Sequence, residues 1–247
     1  MSESKRMSRR SFVRLCLGTG ALVATEPALL AEPREAPTSA QRVTLVSPAG
    51  DPLKPADLKI GESYVFHYPY VSTPVFLINL GKPAKPGEEL ETEDGRIYRW
   101  RGGVGPDQSI VAFSAICAHK MSYPTRTVSF INYRHDNARF SDLNRNTAER
   151  EQVIYCCSEG SVYDPAAGGR VLGGPAPQPL TAIDLDCDTD DVLCAVGTYG
   201  GELYERFFED FGFQLALERG TDDIRAPATG TATVWSIADY TSNRRTC

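Results

Sequence analysis

Histidine is scarce in this chain, with three residues among 247, and basic residues are outnumbered, since 26 lysines and arginines stand against 32 acidic residues. The formal net charge of −6 gives no general attraction to a phosphate backbone, and the sequence contains no basic stripe interleaved with aromatic residues. We therefore expect no nucleic-acid partner. The sequence also lacks a phosphate-binding glycine loop and a serine or cysteine nucleophile beside a placed base, so it predicts no catalytic residue of these kinds.

The N-terminus has the pattern of an export signal. Arg9 and Arg10 stand in the segment SRRSFVR, and a weakly apolar run from Leu15 to Ala24 follows. This pattern resembles the twin-arginine signal of bacteria, so residues 1–31 are interpreted as the leader of a periplasmic protein. A helix needs about 20 residues to span a bilayer, and the run reaches that length only by including a glutamate and a proline. Anchoring to the inner membrane through this segment stays open.

The body of the chain has the pattern of a mainly β protein. Short apolar runs such as VTLV, PVFLINL and SIVAFSAIC alternate with glycine and proline over residues 43–200. The polar residues 32–42 are predicted to be a linker, and the charged residues 134–150 a surface insertion between two strands. Residues 201–247 are predicted to be a C-terminal extension with one helix, because apolar side chains recur at helical spacing between Glu202 and Glu218.

The cysteines are numerous enough for a metal site and a disulfide. Of the seven, Cys16 lies in the leader, which leaves six for the folded part. Cys187 and Cys194 flank the segment DTDDVL, where two strand-like runs meet, and in an oxidising periplasm they are predicted to form a local disulfide. Cys247 is predicted to be an unpaired, exposed thiol.

Two separated segments have the layout of a two-loop metal site. The first, AFSAICAHKMSYP, contains Cys117 and His119, and the second contains Cys156, a Gly-Ser-x-Tyr-Asp run and a Gly-Pro-Ala-Pro loop. Together they resemble the Rieske iron–sulfur family, in which one loop supplies Cys-x-His and the other Cys-x-x-His. The resemblance implies a Rieske-type β-sandwich base with a small cluster-binding subdomain formed by loops 117–124 and 156–164. It also implies a [2Fe–2S] cluster with these two cysteines and this histidine among its ligands.

The second loop departs from the family pattern at one ligand. The histidine expected three residues after Cys156 is replaced by Glu159. Iron accepts carboxylate, and Glu159 is therefore the predicted fourth ligand. Cys157 and His135 are alternative candidates, because the first is a thiol beside a ligand position and the second lies in an insertion that leaves from the first loop.

Around these ligands, the chain lacks one family feature and keeps another. High-potential relatives tie the two loops by a disulfide, and its two positions are Ser122 and Ser158 here. Ser161 and Tyr163 match the family's serine and tyrosine, which donate hydrogen bonds to a bridging sulfide and to a cysteine sulfur. The resemblance therefore implies that these two hydroxyls tune the cluster.

The resemblance implies single-electron transfer by a non-catalytic subunit or small carrier. Two settings are typical of the family, the quinol-oxidising cytochrome bc complexes and the small subunit of arsenite-oxidase-like enzymes. The expected partners are accordingly a cytochrome c-type acceptor or a larger oxidoreductase subunit. The alternative hypothesis is a docking or structural subunit that keeps the Rieske fold without a cluster and without redox activity.

Overall fold

The computed structural model describes residues 36–200 and 203–247, and this part of the chain is mainly β, as the sequence predicts. The described strands, in chain order, are β1 Thr38–Val46, β2 Ser63–His67, β3 Pro74–Asn79, β4 Glu89–Glu91, β5 Ile97–Arg99, β6 Ile110–Ser114, β7 Ile131–Arg134, β8 Ala138–Ser141, β9 Thr147–Arg150, β10 Val153–Cys156, β11 Ser161–Asp164, β12 Arg170–Gly173, β13 Ala182–Cys187, β14 Leu193–Tyr199, β15 Gly230–Thr233 and β16 Trp235–Ser236. Two α-helices accompany them, α1 Leu203–Arg219 and α2 Ile237–Tyr240. The predicted leader, with Arg9 and Arg10, lies outside the described residues. In the described ranges, no helix has the length and apolar character needed to cross a membrane.

Eight strands form one large sheet in the order β15-β1-β14-β13-β6-β3-β2-β16. Its neighbours are antiparallel except for β1 and β15, which run parallel. Although β15 and β16 pair at opposite edges, only Val234 separates them in the chain, and its backbone N–H donates to the carbonyl of Val46 at 2.8 Å. Consecutive Cα atoms are about 3.8 Å apart, so the two edges must lie next to each other. The sheet therefore curls round until residues 230–236 close it.

The large sheet is buried on both faces. In β3, Val75 and Leu77 belong to one buried apolar cluster and Phe76 and Ile78 to another, as expected for side chains that alternate along a strand. The cluster of Phe76 and Ile78 also contains Phe207 of α1 and both cysteines of the predicted metal loops. The core therefore extends directly under the candidate site.

A second sheet of four strands, in the order β12-β11-β10-β7, carries the second loop at the β10–β11 turn. Two-stranded sheets are formed by β4 with β5 and by β8 with β9. The β8–β9 hairpin pairs Ser141 with Thr147 and occupies most of the predicted insertion at residues 134–150. The large sheet and the four-stranded sheet correspond to the base and the smaller subdomain that the sequence predicts.

Both ends of the described chain are more closely integrated into the fold than the sequence suggests. Thr38 and Ser39 pair with β14, so the linker predicted over residues 32–42 does not include Thr38–Arg42. At the other end, the predicted helix is present as α1 and continues through Gly212 to Arg219. The residues after α1 supply both edge strands of the large sheet. The predicted extension is therefore part of the base rather than an appendage.

Candidate metal centre

The first loop follows β6 and folds back on Cys117. The backbone N–H of Cys117 donates to the carbonyl of Ser122 at 2.9 Å, and the N–H of Met121 donates to the carbonyl of Cys117 at 3.0 Å. Met121 has a positive φ of 55°, which is uncommon for a residue with a side chain and reverses the chain here. These bonds enclose the Cys117 side chain, and the residue is 2% exposed.

The second loop is the tight connection between β10 and β11. Cys156 and Ser161 form the last pair of this ladder, and the carbonyl of Cys156 accepts a hydrogen bond from Gly160 at 2.9 Å. Gly160 has a φ of +80°, where a glycine is favoured because it has no Cβ. The backbone N–H of Cys157 donates to the carbonyl of Phe130 at 2.7 Å, which fixes the loop to the segment before β7.

The two loops bring the thiols of Cys117 and Cys156 together. A hydrogen bond from Cys156, with a smaller contribution from Tyr163, lowers the pKa of Cys117 to about 6. The same bond raises the pKa of Cys156 above its usual range, because the shared proton stays on that sulfur. Both cysteines are buried and free of disulfide bonds. A closely spaced pair of buried thiols is the kind of donor set that soft metals and iron–sulfur clusters use.

Tyr163 is aimed at the sulfur of Cys117. Its hydroxyl oxygen accepts a hydrogen bond from the backbone N–H of Ala118 at 3.1 Å and lies 3.3 Å from Sγ of Cys117. A tyrosine has a single O–H, and the bond from Ala118 leaves this proton free to point at the sulfur. Burial is the main cause that raises the pKa of Tyr163 well above its ordinary value, so the hydroxyl keeps its proton and acts as a donor.

His119 and Glu159 form a second pair, one residue from each loop. Nδ1 of His119 lies 3.5 Å from Oε2 of Glu159, at the outer limit for a hydrogen bond and without its alignment. The side chains are 21% and 48% exposed, so this pair faces outward relative to the two buried thiols. Glu159, which replaces the family's second histidine, therefore lies beside His119, the histidine that remains.

Two buried polar atoms at this site lack a hydrogen-bond partner within the described residues. They are Nδ1 of His119 and Oγ of Ser161. Ser161 is 1% exposed and is paired with Cys156 across the hairpin. Buried polar groups are nearly always satisfied, and each exception calls for an explanation. A bound group that takes an imidazole ligand and accepts a hydrogen bond would satisfy both atoms.

The four predicted ligands are arranged as two pairs rather than one group. Over the residues that the structure describes, no three histidine, cysteine, aspartate or glutamate side chains gather closely enough to hold one metal ion. Instead, Cys117 lies with Cys156, and His119 lies with Glu159. A [2Fe–2S] cluster of the Rieske kind takes two protein ligands on each iron, so the donor set fits this group.

Comparison with known proteins finds relatives in sequence and a similar solved structure. No family model matches the chain. The iodate reductase subunit IdrB of Denitromonas iodatirespirans is 29% identical over 194 residues, which cover 78% of this chain and 82% of the relative. The subunit of the same name from Pseudomonas sp. (strain SCT) is 29% identical over 143 residues, 58% of this chain and 56% of that protein. The soluble domain of the Rieske protein II (soxF) from Sulfolobus acidocaldarius is 25% identical, with coverages of 64% and 78% and a TM-score of 0.42.

The two loops of this chain meet in the manner of one family. One supplies Cys-x-His, the other supplies a cysteine followed by a tyrosine that contacts the first cysteine, and both project from a mainly β fold. The chain resembles an atypical Rieske protein at these two loops. It is atypical because Glu159 stands where the family pattern has histidine, and because serines stand at both positions of the family's loop disulfide.

The candidate metal centre is braced by α1, a contact that the sequence does not reveal. Arg206 donates to the backbone carbonyl of His119 at 3.1 Å. The ring of Tyr123, at the end of the first loop, packs edge-on against Phe207 and Phe211 with centroid distances of 5.0 and 5.3 Å. Arg206 is thus a supporting residue of the site. Its role is absent from the sequence pattern because it depends on where the helix docks.

The disulfide of this protein is not the one predicted. Cys157 is bonded to Cys247, with their Cα atoms 5.6 Å apart and 90 residues between them in sequence. The bond connects the second loop to the C-terminus. Two predictions are therefore wrong, that Cys247 is an unpaired thiol and that Cys157 is an alternative ligand. No local pattern could have indicated a pair so distant in sequence.

The predicted bond between Cys187 and Cys194 is also wrong, and both thiols are free. Cys187 lies opposite Leu193 and Cys194 lies opposite Asp186 in the β13–β14 ladder. Residues directly opposite share a face of the sheet, whereas neighbours along a strand point to opposite faces. Cys187 and Cys194 therefore point to different faces and do not bond.

Neither remaining histidine joins the site. His135 follows the last residue of β7, where its backbone carbonyl accepts a hydrogen bond from the N–H of Gln152. Cys156 lies opposite Ile131, at the other end of β7. Four residues of extended strand, about 13 Å, separate the two ends, so His135 is wrong as an alternative ligand. His67 instead lies in β2, where its Nε2 is 3.1 Å from the hydroxyl of Tyr240.

Proposed function

We propose that this Rieske protein carries single electrons as a subunit of a larger oxidoreductase, through a [2Fe–2S] cluster held by Cys117, Cys156, His119 and Glu159. The observation that supports this proposal best is the convergence of a buried thiol pair and a more exposed His–Glu pair from the two loops. When bound, the cluster supplies reversible one-electron redox chemistry.

The surrounding residues have distinct roles in this proposal. The low pKa of Cys117 provides a thiolate ready to bind iron, and the hydroxyl of Tyr163 stabilises negative charge on that sulfur. The closed first loop excludes water from the two cysteines, whose exposures are 1 to 2%. His119 is the more exposed ligand of its loop, so a redox partner would approach the protein from that side.

The relatives support a particular kind of partner. Both are named as subunits of iodate reductase, and one aligns with 82% of its own length. We infer that this protein likewise associates with a larger subunit that reduces or oxidises the substrate. We propose that it works like the small subunits of arsenite-oxidase-like enzymes rather than like a subunit of the cytochrome bc complexes. A cytochrome c-type protein then remains the natural second partner.

We further propose that the protein is located in the periplasm. The twin-arginine pattern at Arg9 and Arg10 supports this location. The disulfide between Cys157 and Cys247 supports it independently, because disulfides persist in oxidising compartments and are rare in the cytosol. Insertion of the cluster before export would be compatible with this route, which carries folded proteins.

Iron and sulfide analysis tests the proposal. The protein should be purified after export with its own leader, and about two irons and two sulfides per chain are expected, together with visible absorption. Cys117→Ser should abolish both, whereas Cys187→Ser, which removes a free thiol outside the site, should leave both unchanged. A colourless, iron-free wild-type protein would contradict the proposal and support a docking subunit without redox activity.

A further inference from the structure

A polar cavity of about 360 Å³ lies against the segment that closes the large sheet. Its lining includes His67 at the end of β2, Arg126, Arg219 at the end of α1, and the threonines of residues 229–233. Among the described residues that line it, none belongs to either cluster loop. Two arginines that face the same cavity are the feature that requires explanation.

Arg126 is held in position by aromatic rings and by its own backbone. Its guanidinium carbon lies 4.5 Å from the ring centroid of Tyr240 and 5.8 Å from that of Trp235. Its backbone carbonyl accepts hydrogen bonds from the N–H and the hydroxyl of Ser242, at 3.0 and 3.2 Å. Stacking on these rings leaves the edge of the guanidinium, where its donors lie, available to a ligand.

Arg219 is partly desolvated and close enough to Arg126 to feel its charge. Burial lowers the pKa of Arg219, and the charge of Arg126 lowers it further. Within the described part of the chain, neither arginine forms an ion pair with a carboxylate. The adjacent Glu218 is engaged elsewhere, since its Oε1 accepts from the Tyr123 hydroxyl at 3.2 Å and from Gln214 at 2.7 Å.

We propose that this cavity binds a small inorganic oxyanion of the phosphate or sulfate class, with the guanidinium groups of Arg126 and Arg219 as its principal ligands. An oxyanion offsets the repulsion between the two like charges and accepts their planar N–H donors. The hydroxyls of Thr231 and Thr233, on alternate residues of β15, supply further donors to the same cavity. This site is separate from the cluster and does not depend on the proposed redox function.

Calorimetric titration of the full chain with sodium sulfate and with sodium phosphate tests the site. The titrations are made in chloride buffer at constant ionic strength, so that non-specific screening is the same throughout. We expect one anion per chain. Arg126→Gln should weaken binding at least about tenfold, because hydrogen bonds to charged groups are worth about 1.5–3 kcal/mol. Arg126→Lys should weaken it less, since the charge remains and the planar fork is lost.

The control is Arg225→Gln. Arg225 also stacks on an aromatic ring, with its guanidinium carbon 4.8 Å from the Phe208 centroid, but it is paired with Glu205 at 2.7 Å and does not line the cavity. This variant should bind as wild type does. Wild-type binding no tighter than that of chloride, or equal binding by Arg126→Gln and wild type, would overturn the proposal. Arg219→Gln repeats the test, and a thermal melt confirms that each variant is folded.

Discussion

Oε2 of Glu159 lies 3.5 Å from Nδ1 of His119, although the two residues belong to different loops. Glu159 therefore still lies at the site, although it replaces the family's second histidine. What changes is its charge, because a neutral imidazole gives way to a carboxylate. A cluster held here would carry more negative charge than one in a two-histidine Rieske site.

Charge counting predicts a lowered reduction potential. An oxidised [2Fe–2S] core with two thiolates and two imidazoles is neutral, whereas replacement of one imidazole by the Glu159 carboxylate brings the site to −1. Rieske centres span roughly −150 to +300 mV, and four-cysteine plant-type clusters lie near about −400 mV. We expect a value between these two classes, measured by potentiometric titration. Its pH dependence should also be reduced, since the proposed site has one imidazole ligand where a two-histidine Rieske site has two.

Variants of Glu159 test whether it is a ligand. Glu159→His should raise the potential and add a second titration to its pH profile. Glu159→Ala should lower cluster content or alter the visible spectrum, whereas the control Glu151→Ala, at an exposed residue just before β10, should change neither. If Glu159→Ala leaves iron content, potential and spectrum as they are in wild type, then Glu159 is not a ligand.

Tyr163→Phe should lower the potential by about 20–60 mV. The hydroxyl of Tyr163 lies 3.3 Å from Sγ of Cys117, and its loss removes a donor that stabilises the more negative, reduced state. A net hydrogen bond is worth about 0.5–1.5 kcal/mol, and one-electron potentials change by about 59 mV for each 1.4 kcal/mol. Tyr155→Phe, in the neighbouring strand β10, is the matched control. Equal potentials in both variants would show that the Tyr163 hydroxyl does not tune the cluster.

Removal of the disulfide should destabilise the fold. The double variant Cys157→Ser/Cys247→Ser should lose about 2–4 kcal/mol of unfolding free energy, because a bond across 90 residues restricts the unfolded chain strongly. Urea denaturation without reductant measures this loss. When reductant is added, the wild-type disulfide is also broken, and the difference in stability between wild type and variant should disappear. Cys187→Ser, at a free and partly exposed thiol, should be nearly neutral. Peptide mapping that links Cys187 to Cys194 would contradict the pairing.

The leader should act through its arginine pair. Arg9→Lys/Arg10→Lys keeps the positive charge but removes the pattern that resembles a twin-arginine signal. The variant should stay in the cytoplasm, as measured by cell fractionation and immunoblotting. Arg14→Lys, a change of the same kind outside the pair, should be exported normally. Export of the double variant at the wild-type level would refute the interpretation of residues 1–31.

His67 should make the fold less stable in mild acid. Burial lowers the pKa of His67 well below its ordinary value, and the charges of Arg219 and Arg126 lower it further. Below about pH 6.5 the histidine therefore binds a proton in the unfolded state but stays neutral in the folded state. Protonation then favours unfolding, so the free energy of unfolding decreases as the pH falls. At pH 5.5 this costs about 1.4 kcal/mol relative to pH 7.5.

The measurement compares urea unfolding at these two pH values in buffers without phosphate or sulfate. His67→Gln keeps a hydrogen-bonding group near the hydroxyl of Tyr240 and should lose most of this pH dependence. His135→Gln, at the end of β7, should retain it. If wild type and His67→Gln lose the same free energy of unfolding between pH 7.5 and 5.5, then His67 is not the cause of the pH dependence.

Much of the candidate site could be predicted from the sequence because its motifs are local. Each loop carries its two candidate ligands within a few residues of each other, Cys117 with His119 and Cys156 with Glu159. Their proximity along the chain does not depend on the rest of the fold. Tyr163 likewise follows from its place in a short hairpin. The mainly β fold and the helix after residue 202 were predictable for the same reason, since periodic apolar residues reveal local elements.

Only the tertiary structure decided which distant parts meet. A β-bulge between Asp184 and Leu185 sets the register that places Cys187 and Cys194 on opposite faces, and one residue of register reverses every side chain beyond it. Cys157 finds its partner 90 residues away, and residues 230–236 close a sheet that begins at Thr38. Such contacts depend on how the core packs as a whole. The sequence determined the chemistry that each loop carries, and the packing of the sheets and α1 determined that the loops face each other.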